Sequence, residues 1–278
     1  MNATDLAADI DVTGRVAVIT GSGRGLGRAY AVALAAAGAA VVVNDVDRDA
    51  AEETAQLIRS SGGQVSVVVA AVGSAETADV LVGTAVSDFG LLDVMVANAG
   101  VLRDRVLWKT SDDDFDLVVA THLRGAFTCG RAAAVHFREA GEGGRIILVG
   151  SPAGQLGSFG QTAYSAVKAG IVAMTRTWSM ELARAGVTVN AIIPTALTAM
   201  VATMPQYADA YESFLRGEAL PHSIRHDNAL GSPDDVAPLV VWLASAEAEG
   251  VTGQAIGLGG DKLTLYAHPV QLTARFSD

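Results

Sequence analysis

Cysteine is almost missing from this chain: Cys129 is the only one among 278 residues. With no second thiol, neither an internal disulfide nor a thiolate metal cage is available. Aromatic side chains are also sparse at 5%, and positive charge is the scarcer sign, 19 Lys and Arg against 30 Asp and Glu. The resulting net charge of −11 repels polyanions, which excludes nucleic acid and an anionic membrane surface as partners. Long hydrophobic runs are missing too. The longest, residues 29–43, spans 15 residues, contains Gly38 and ends on Asn44 and Asp45, whereas a membrane-spanning helix needs about 20. The amino-terminal MNATDLAADIDV has acids where a secretory signal has Lys or Arg and an apolar core. The final Arg275-Phe276-Ser277-Asp278 is not a peroxisomal tripeptide. A cytoplasmic protein is therefore expected. There is no internal repeat, no low-complexity linker and no G-x-S-x-G elbow, so a serine hydrolase of that kind is not supported.

Apolar residues, in contrast, make up 50% of the chain, and 30 glycines accompany them. That is ample material for the core of one large domain. Short β-branched runs recur at 16–20, 40–44, 65–70, 92–97, 145–150, 188–193 and 254–258. Helical segments fall between them at 25–37, 48–60, 74–89, 112–139, 162–185 and 233–245. Strands with little polar alternation belong in a parallel sheet buried on both faces. The regular alternation predicts an α/β fold, a single doubly wound Rossmann-type domain over 14–261 with a seven-stranded parallel sheet flanked by helices. Residues 1–13 and 262–278 are expected as tails, and 199–231 as a lid-like insertion over one sheet edge. Two helix starts carry their own punctuation, Ser111-Asp112-Asp113-Asp114 and Ser232-Pro233-Asp234-Asp235. In each, a serine cap precedes acids that suit the positive helix end, so the acidic triplet reads as helix-start charge and not as a metal cluster.

The first strand runs into Thr20-Gly21-Ser22-Gly23-Arg24-Gly25-Leu26-Gly27, with a helix directly after it. Glycines let the backbone turn sharply and approach a ligand, and the helix start offers free N–H groups and a positive dipole end to a pyrophosphate. The spacing is T-G-x-x-x-G-x-G; the more familiar G-x-G-x-x-G fails in every register, because Leu26, Arg28 and Tyr30 occupy the third position. Asp45 closes the second strand, 24 residues after Gly21. A carboxylate there accepts from both ribose hydroxyls of an adenosine and repels a 2′-phosphate. Arg24 pulls the other way, since a cation in the turn can greet that phosphate. The carboxylate carries the greater weight because of where it sits, so the expected cofactor is NAD.

Tyr164 and Lys168 are four residues apart and share one helix face. A nearby ammonium stabilises a phenolate and draws a tyrosine pKa down toward the working range. Ser151 lies 13 residues before Tyr164, just past the strand at 145–150. A hydroxyl at that point can bind a carbonyl oxygen while the tyrosine gives or takes a proton. A lone Y-x-x-x-K is a weak signal. Ser, Tyr and Lys downstream of a nucleotide turn in one alternating sheet make a strong one.

With these residues in place, the sequence resembles the short-chain dehydrogenase/reductase family from about Val12 to Asp261. The matching stretches are TGSGRGLG at 20–27, ANAG at 97–100, Ser151, YSAVK at 164–168, VNAIIP at 189–194 and VTGQ at 251–254. The resemblance implies that Tyr164 is the acid/base, that Lys168 lowers its pKa and holds the nicotinamide ribose, and that Ser151 orients the substrate. It implies a cofactor site of Gly21, Gly23, Arg24, Gly25, Leu26, Gly27, Asp45, Val72, Asn98, Ala99, Gly100, Ile193, Pro194 and Thr198, shared with Tyr164 and Lys168, and no metal. Departures are informative. Ala97 replaces the first asparagine of a common Asn-Asn-Ala-Gly, Ala71 stands where an acid usually meets the adenine, and Thr195 follows Pro194 in place of glycine. The fourth catalytic position, usually Asn, is His122. Since the family asparagine is thought to act through its main-chain carbonyl, His122 either preserves that role or adds a group titrating near neutral pH.

Further stretches, GRGLGRAYA at 23–31, VVVND at 41–45, LRDR at 102–105 and HLRGAF at 122–127, resemble one branch. It comprises (3R)-hydroxyacyl-CoA dehydrogenase domains of the peroxisomal multifunctional type and 17β-hydroxysteroid dehydrogenases. The branch implies NAD-dependent oxidation of a secondary alcohol on a bulky apolar substrate such as a 3-hydroxyacyl-CoA thioester. A 17β-hydroxysteroid and a 3-oxoacyl-thioester reductase reaction are the alternatives, and a homotetramer is the implied assembly. Met200, Met204, Tyr207, Tyr211, Phe214 and Leu215 either line an apolar lid or simply pack. Leu263, Leu265, Tyr266, Leu272 and Phe276 offer a reach toward a neighbouring subunit. Arg103 and Arg105 read as CoA-phosphate contacts or as ordinary exposed arginines. His222 and His226 have metal-like spacing but no third ligand. Outside enzymes, a silent dinucleotide-sensing protein on the same fold is the competing class. Such a sensor has no need for Ser151, Tyr164 and Lys168 together.

Overall fold

The structure, a computed structural model, describes residues 10–270. Its first half alternates β1 (Val16–Thr20), α1 (Gly25–Ala36), β2 (Ala40–Asp45), α2 (Arg48–Ser60), β3 (Val65–Val69), α3 (Ala75–Phe89) and β4 (Val94–Ala97). The second half carries α4 (Asp112–Val118), α5 (Gly125–Ala140), β5 (Gly144–Val149), a short α6 (Ala153–Leu156), α7 (Thr162–Glu181) and β6 (Val187–Pro194). It ends with α8 (Pro205–Leu215), α9 (Pro233–Ala244), β7 (Ala255–Gly259) and β8 (Lys262–Tyr266). Helix starts follow the expected punctuation. Ser111 Oγ accepts from the Asp114 amide at 3.2 Å. At α9, Ser232 Oγ accepts from the Asp235 amide while the Asp235 carboxylate accepts from the Ser232 amide at 2.6 Å, a reciprocal cap.

The sheet order is β3-β2-β1-β4-β5-β6-β7-β8. Strand periodicity of two explains its burial on both faces. Ala17 and Ile19 of β1 point into one core with Tyr30 and Leu34 of α1 and Val240 of α9. Val16 and Val18 point into the other, with Leu81 of α3, Phe137 of α5 and Ile171 of α7. Because β1 pairs with β2 on one side and β4 on the other, successive connections diverge there. The divergence leaves a crevice outside the carboxyl ends of β1 and β4, where ligands of open α/β sheets bind.

Two expectations need correction. Among the described residues the sheet has eight strands where seven are expected, and the eighth is not parallel: β8 pairs antiparallel with β7, Lys262 opposite Gly259. The stretch taken for a tail from 262 onward turns back at Gly260, whose φ is +58°, and its K-L-T-L-Y run, exposed at four of five positions, forms an edge strand. Leu272 and Phe276 lie outside the described residues. The second correction concerns the helix expected over 112–139. It is interrupted by a wider π-helical turn, Val119–Arg124, between α4 and α5. Such turns insert an extra residue into the helical ladder and recur at functional sites. His122 lies within it and is buried.

Candidate active site

The glycine turn after β1 is braced on three sides. Asn98 Nδ2 donates to the Thr20 and Gly21 carbonyls at 2.9 and 3.0 Å. Thr20 Oγ1 in turn accepts from the Asn98 and Ala99 amides, both at 3.0 Å. Ser22 ties the turn to β2 through its amide, which donates to the Asn44 carbonyl at 2.8 Å. Asn98, expected beside a cofactor, thus uses its side chain to fix the turn. Thr20, Ser22 and Asn44 are the residues that motif reading missed; their only signal is position, flanking the first glycine and the strand-end acid. Gly21 and Gly25 both have positive φ, +63° and +55°, which other residues reach only with strain. A side chain on Gly25 would meet only Thr198 Cγ2, 3.8 Å away, so Thr198 lies beside the turn. The start of α1 has no side-chain cap and no acid in its first turn, which leaves its amides to a ligand.

At the end of β2, Asp45 Oδ2 accepts from the Gly23 amide at 2.9 Å, and its other oxygen accepts from the Asp47 amide at 3.1 Å. Asp47 caps α2 through the Ala50 amide and forms an ion pair with Arg24. A braced glycine turn, an uncapped helix end and a strand-end carboxylate fit a dinucleotide. Gly21–Gly27 and the α1 amides would hold its pyrophosphate and Asp45 its adenosine ribose. Val72 sits half-buried against Gly125.

The chemical residues gather at the carboxyl end of β5. Ser151 follows that strand after Gly150, and the end of β6, Ile193 and Pro194, runs alongside, with Val149 opposite Ile192. Tyr164 and Lys168 lie in the first turns of α7. Lys168 Nζ donates to the Val149 carbonyl at 2.6 Å and stands 5.5 Å from the centre of the Tyr164 ring. This bond anchors α7 on β5 and brings the phenol beside Ser151. Burial pushes the Tyr164 phenol above its ordinary value, a hydrogen bond from Ser151 pulls it back, and Asp104 adds to the rise. Burial also pushes the Lys168 ammonium down to about 7. For both groups desolvation is the largest cause of the shift.

His122 stands with its ring edge against Tyr164, centroids 5.2 Å apart at 86°. Its Nε2 lies 3.0 Å from the Val101 amide nitrogen and 2.8 Å from the Val101 carbonyl oxygen. Burial, reinforced by the Lys168 charge, pushes its pKa down to about 3. Of the two expectations for His122, a group titrating near neutral pH is therefore disfavoured. Gly100 is glycine because a Cβ there would overlap the His122 ring.

Other singled-out residues are engaged elsewhere. Arg103 pairs with Asp114 at 3.4 Å. His226 Nδ1 is 2.7 Å from Asp261 Oδ2, so the His222/His226 spacing serves a contact to the end of β7. The 199–231 insertion is held by Arg225, which bonds both Asp235 oxygens at 2.8 and 2.7 Å. A second apolar rim escaped the sequence reading. The loop after β4 and the loop before α7 are joined by the Arg105 amide donating to the Gly160 carbonyl at 2.8 Å and by Gln161 Nε2 donating to Asp104 at 3.0 Å. These loops expose Leu107, Trp108, Leu156 and Phe159, the last 90% exposed and five residues before Tyr164.

Comparison with known proteins agrees with this geometry. The family described as short chain dehydrogenase matches residues 15–208. The hydroxyacyl-CoA dehydrogenase ChsB1 of Mycobacterium tuberculosis is 40% identical over 279 aligned residues, covering 96% of this chain and 84% of its own. The peroxisomal multifunctional enzyme type 2 of Mus musculus is 39% identical over 253 residues, which span 88% of this chain and 31% of that longer protein. A solved structure of a short chain dehydrogenase from Mycobacterium paratuberculosis bound to NAD superposes with a TM-score of 0.80 at 29% identity, covering 90% of this chain and 98% of the other. A family match from β1 into α8, and relatives this similar along nearly the whole chain, place the protein in the short-chain dehydrogenase family of oxidoreductases.

Proposed function

We propose that this protein is an NAD-dependent oxidoreductase that interconverts a secondary alcohol and a ketone on a bulky apolar acyl chain, with a 3-hydroxyacyl-CoA thioester as substrate. The observation that carries this is the grouping of Ser151, Tyr164 and Lys168 at the carboxyl end of β5, beside the braced glycine turn. The names of the two relatives above support the substrate class, and the exposed Leu107, Trp108, Leu156 and Phe159 support an apolar chain at the mouth. Asp45 supports NAD. A dinucleotide held by the glycine turn and Asp45 would supply, through its nicotinamide ring beside Tyr164 and Lys168, the hydride acceptor for oxidation and the donor for reduction.

The chain's own residues handle the proton. In oxidation the Tyr164 oxygen, as phenolate, takes the substrate hydroxyl proton while the Ser151 hydroxyl donates to the same substrate oxygen as it becomes a carbonyl. Lys168 supplies positive charge next to the phenolate, and each ionised partner favours the other. Neutral His122 holds the Tyr164 ring at its edge and fixes the Val101 loop. Self-association as a homotetramer belongs to the same proposal, since Phe127 and Val135 on α5 and Met180 on α7 leave apolar faces exposed, as do Leu263 and Leu265 on β8.

One kinetic comparison tests this. Initial rates are measured by NADH absorbance on 3-hydroxyacyl-CoA thioesters and on 17β-hydroxysteroids, with NAD and with NADP. The acyl thioester with NAD should give the highest kcat/KM. A higher value for the steroid, or for NADP, would replace the substrate or the cofactor named here.

A further inference from the structure

The rim of the cofactor crevice beyond Asp45 holds more charge than the adenosine ribose needs. A recess of about 330 Å³ there is lined by Arg24, Arg28, Asp47, Asp49, Ala50 and Glu53. Two guanidinium groups meet three carboxylates in it, with Asp45 as a fourth at its inner edge. The cations are both engaged: Arg24 pairs with Asp47, and Arg28 bonds Glu53 at 2.8 Å and the Gly23 carbonyl at 2.9 Å. Arg24 belongs to the glycine turn itself, with its side chain 64% exposed, and is the cation nearest the place of a 2′-phosphate. Asp47 is fixed from the other side, because it caps α2 by accepting from the Ala50 amide at 3.2 Å.

We propose that Asp47 is a specificity-determining residue: by holding Arg24 and adding a second negative charge behind Asp45, it suppresses binding of a dinucleotide carrying a 2′-phosphate. This rests on the NAD reading above and adds to it, since Asp45 alone leaves Arg24 free to compensate. The ion pair need not be strong. An exposed pair contributes little to stability, but a phosphate dianion arriving at the rim meets a cation already neutralised and two uncompensated acids. The Ala50 amide and the Arg24 charge also keep the Asp47 carboxyl below its ordinary pKa, so it is ionised throughout the neutral range.

Direct binding of NADH and NADPH, followed by nicotinamide fluorescence at low salt, tests this without turnover. Asp47→Asn keeps an oxygen for the α2 cap and removes the charge. It should tighten NADPH about tenfold, the effect of a charge change worth ~1.4 kcal/mol, and leave NADH unchanged. In Arg24→Gln/Asp47→Asn most of that gain should vanish, because the released cation is gone. An NADPH affinity unchanged in Asp47→Asn, or a gain fully retained in the double variant, overturns the role of Asp47. Unmutated protein that binds NADPH more tightly than NADH instead overturns the NAD reading beneath it. Equal melting temperatures of the variants and the parent keep the two outcomes free of folding effects.

Discussion

At the scale of single residues, the site is built from titratable groups taken out of water. Lys168 is held by one backbone carbonyl at the end of β5, and its neighbours are the Tyr164 ring and a neutral imidazole. Tyr164, Lys168 and Ser151 were legible in the sequence because side chains four apart share a helix face and a residue just past a strand faces the crevice. Their protonation balance was not, since desolvation depends on what covers them. His122 makes the point quantitatively. Its pKa of about 3 lies below the ordinary 6.5. Between these values the unfolded chain binds a proton that the folded chain excludes, so stability falls as pH drops below 6.5 and levels off near 3. From pH 7 to pH 4 this group alone removes on the order of 3 kcal/mol. His122→Asn, which lacks the titration, should lose correspondingly less unfolding free energy in urea melts over that interval. Equal losses in the variant and the parent would show that His122 is not buried and neutral.

At the scale of elements, alternation of apolar runs located every one of the first seven strands within a few residues. The failures have physical causes. The π-helical turn at Val119–Arg124 keeps the same apolar spacing as the α-helices on either side, so no period separates them. β8 is short and exposed at four of its five residues, which is how an edge strand hides in a sequence. The 199–231 insertion was legible as a break in alternation but not in its fastening. That fastening is Arg225, which joins the Ser223–Asp227 turn to Asp235 at the start of α9 and approaches the Gly260 carbonyl. Asp235 is 8% exposed, and its reciprocal cap with Ser232 is what remains if the arginine goes. Arg225→Ala should lower stability by ~1–2 kcal/mol, less than a fully buried pair because the guanidinium is partly solvated. Limited proteolysis should then cut within 200–230 faster than in the parent. An unchanged cleavage pattern would mean the insertion is anchored elsewhere.

For the whole molecule, the position of the site follows from sheet order. The divergence of connections around β1 opens the crevice, the glycine turn and the Asn98 brace set its floor, and α7 delivers the phenol to its mouth from the neighbouring strand. Doubly wound topology was readable from strand and helix alternation alone, because parallel strands require crossover helices. The apolar rim of Leu107, Trp108, Leu156 and Phe159 was not, since two loops distant in sequence form it and neither has a period. The proposed function requires the assembled molecule to move one proton through the Tyr164 oxygen. The direct test is turnover of a 3-hydroxyacyl-CoA by Tyr164→Phe, with NADH binding measured by fluorescence on the same preparation. Turnover should fall at least ~10²-fold, as loss of a general acid/base does, while NADH affinity stays at the parent value. Turnover equal to the parent's would contradict the account.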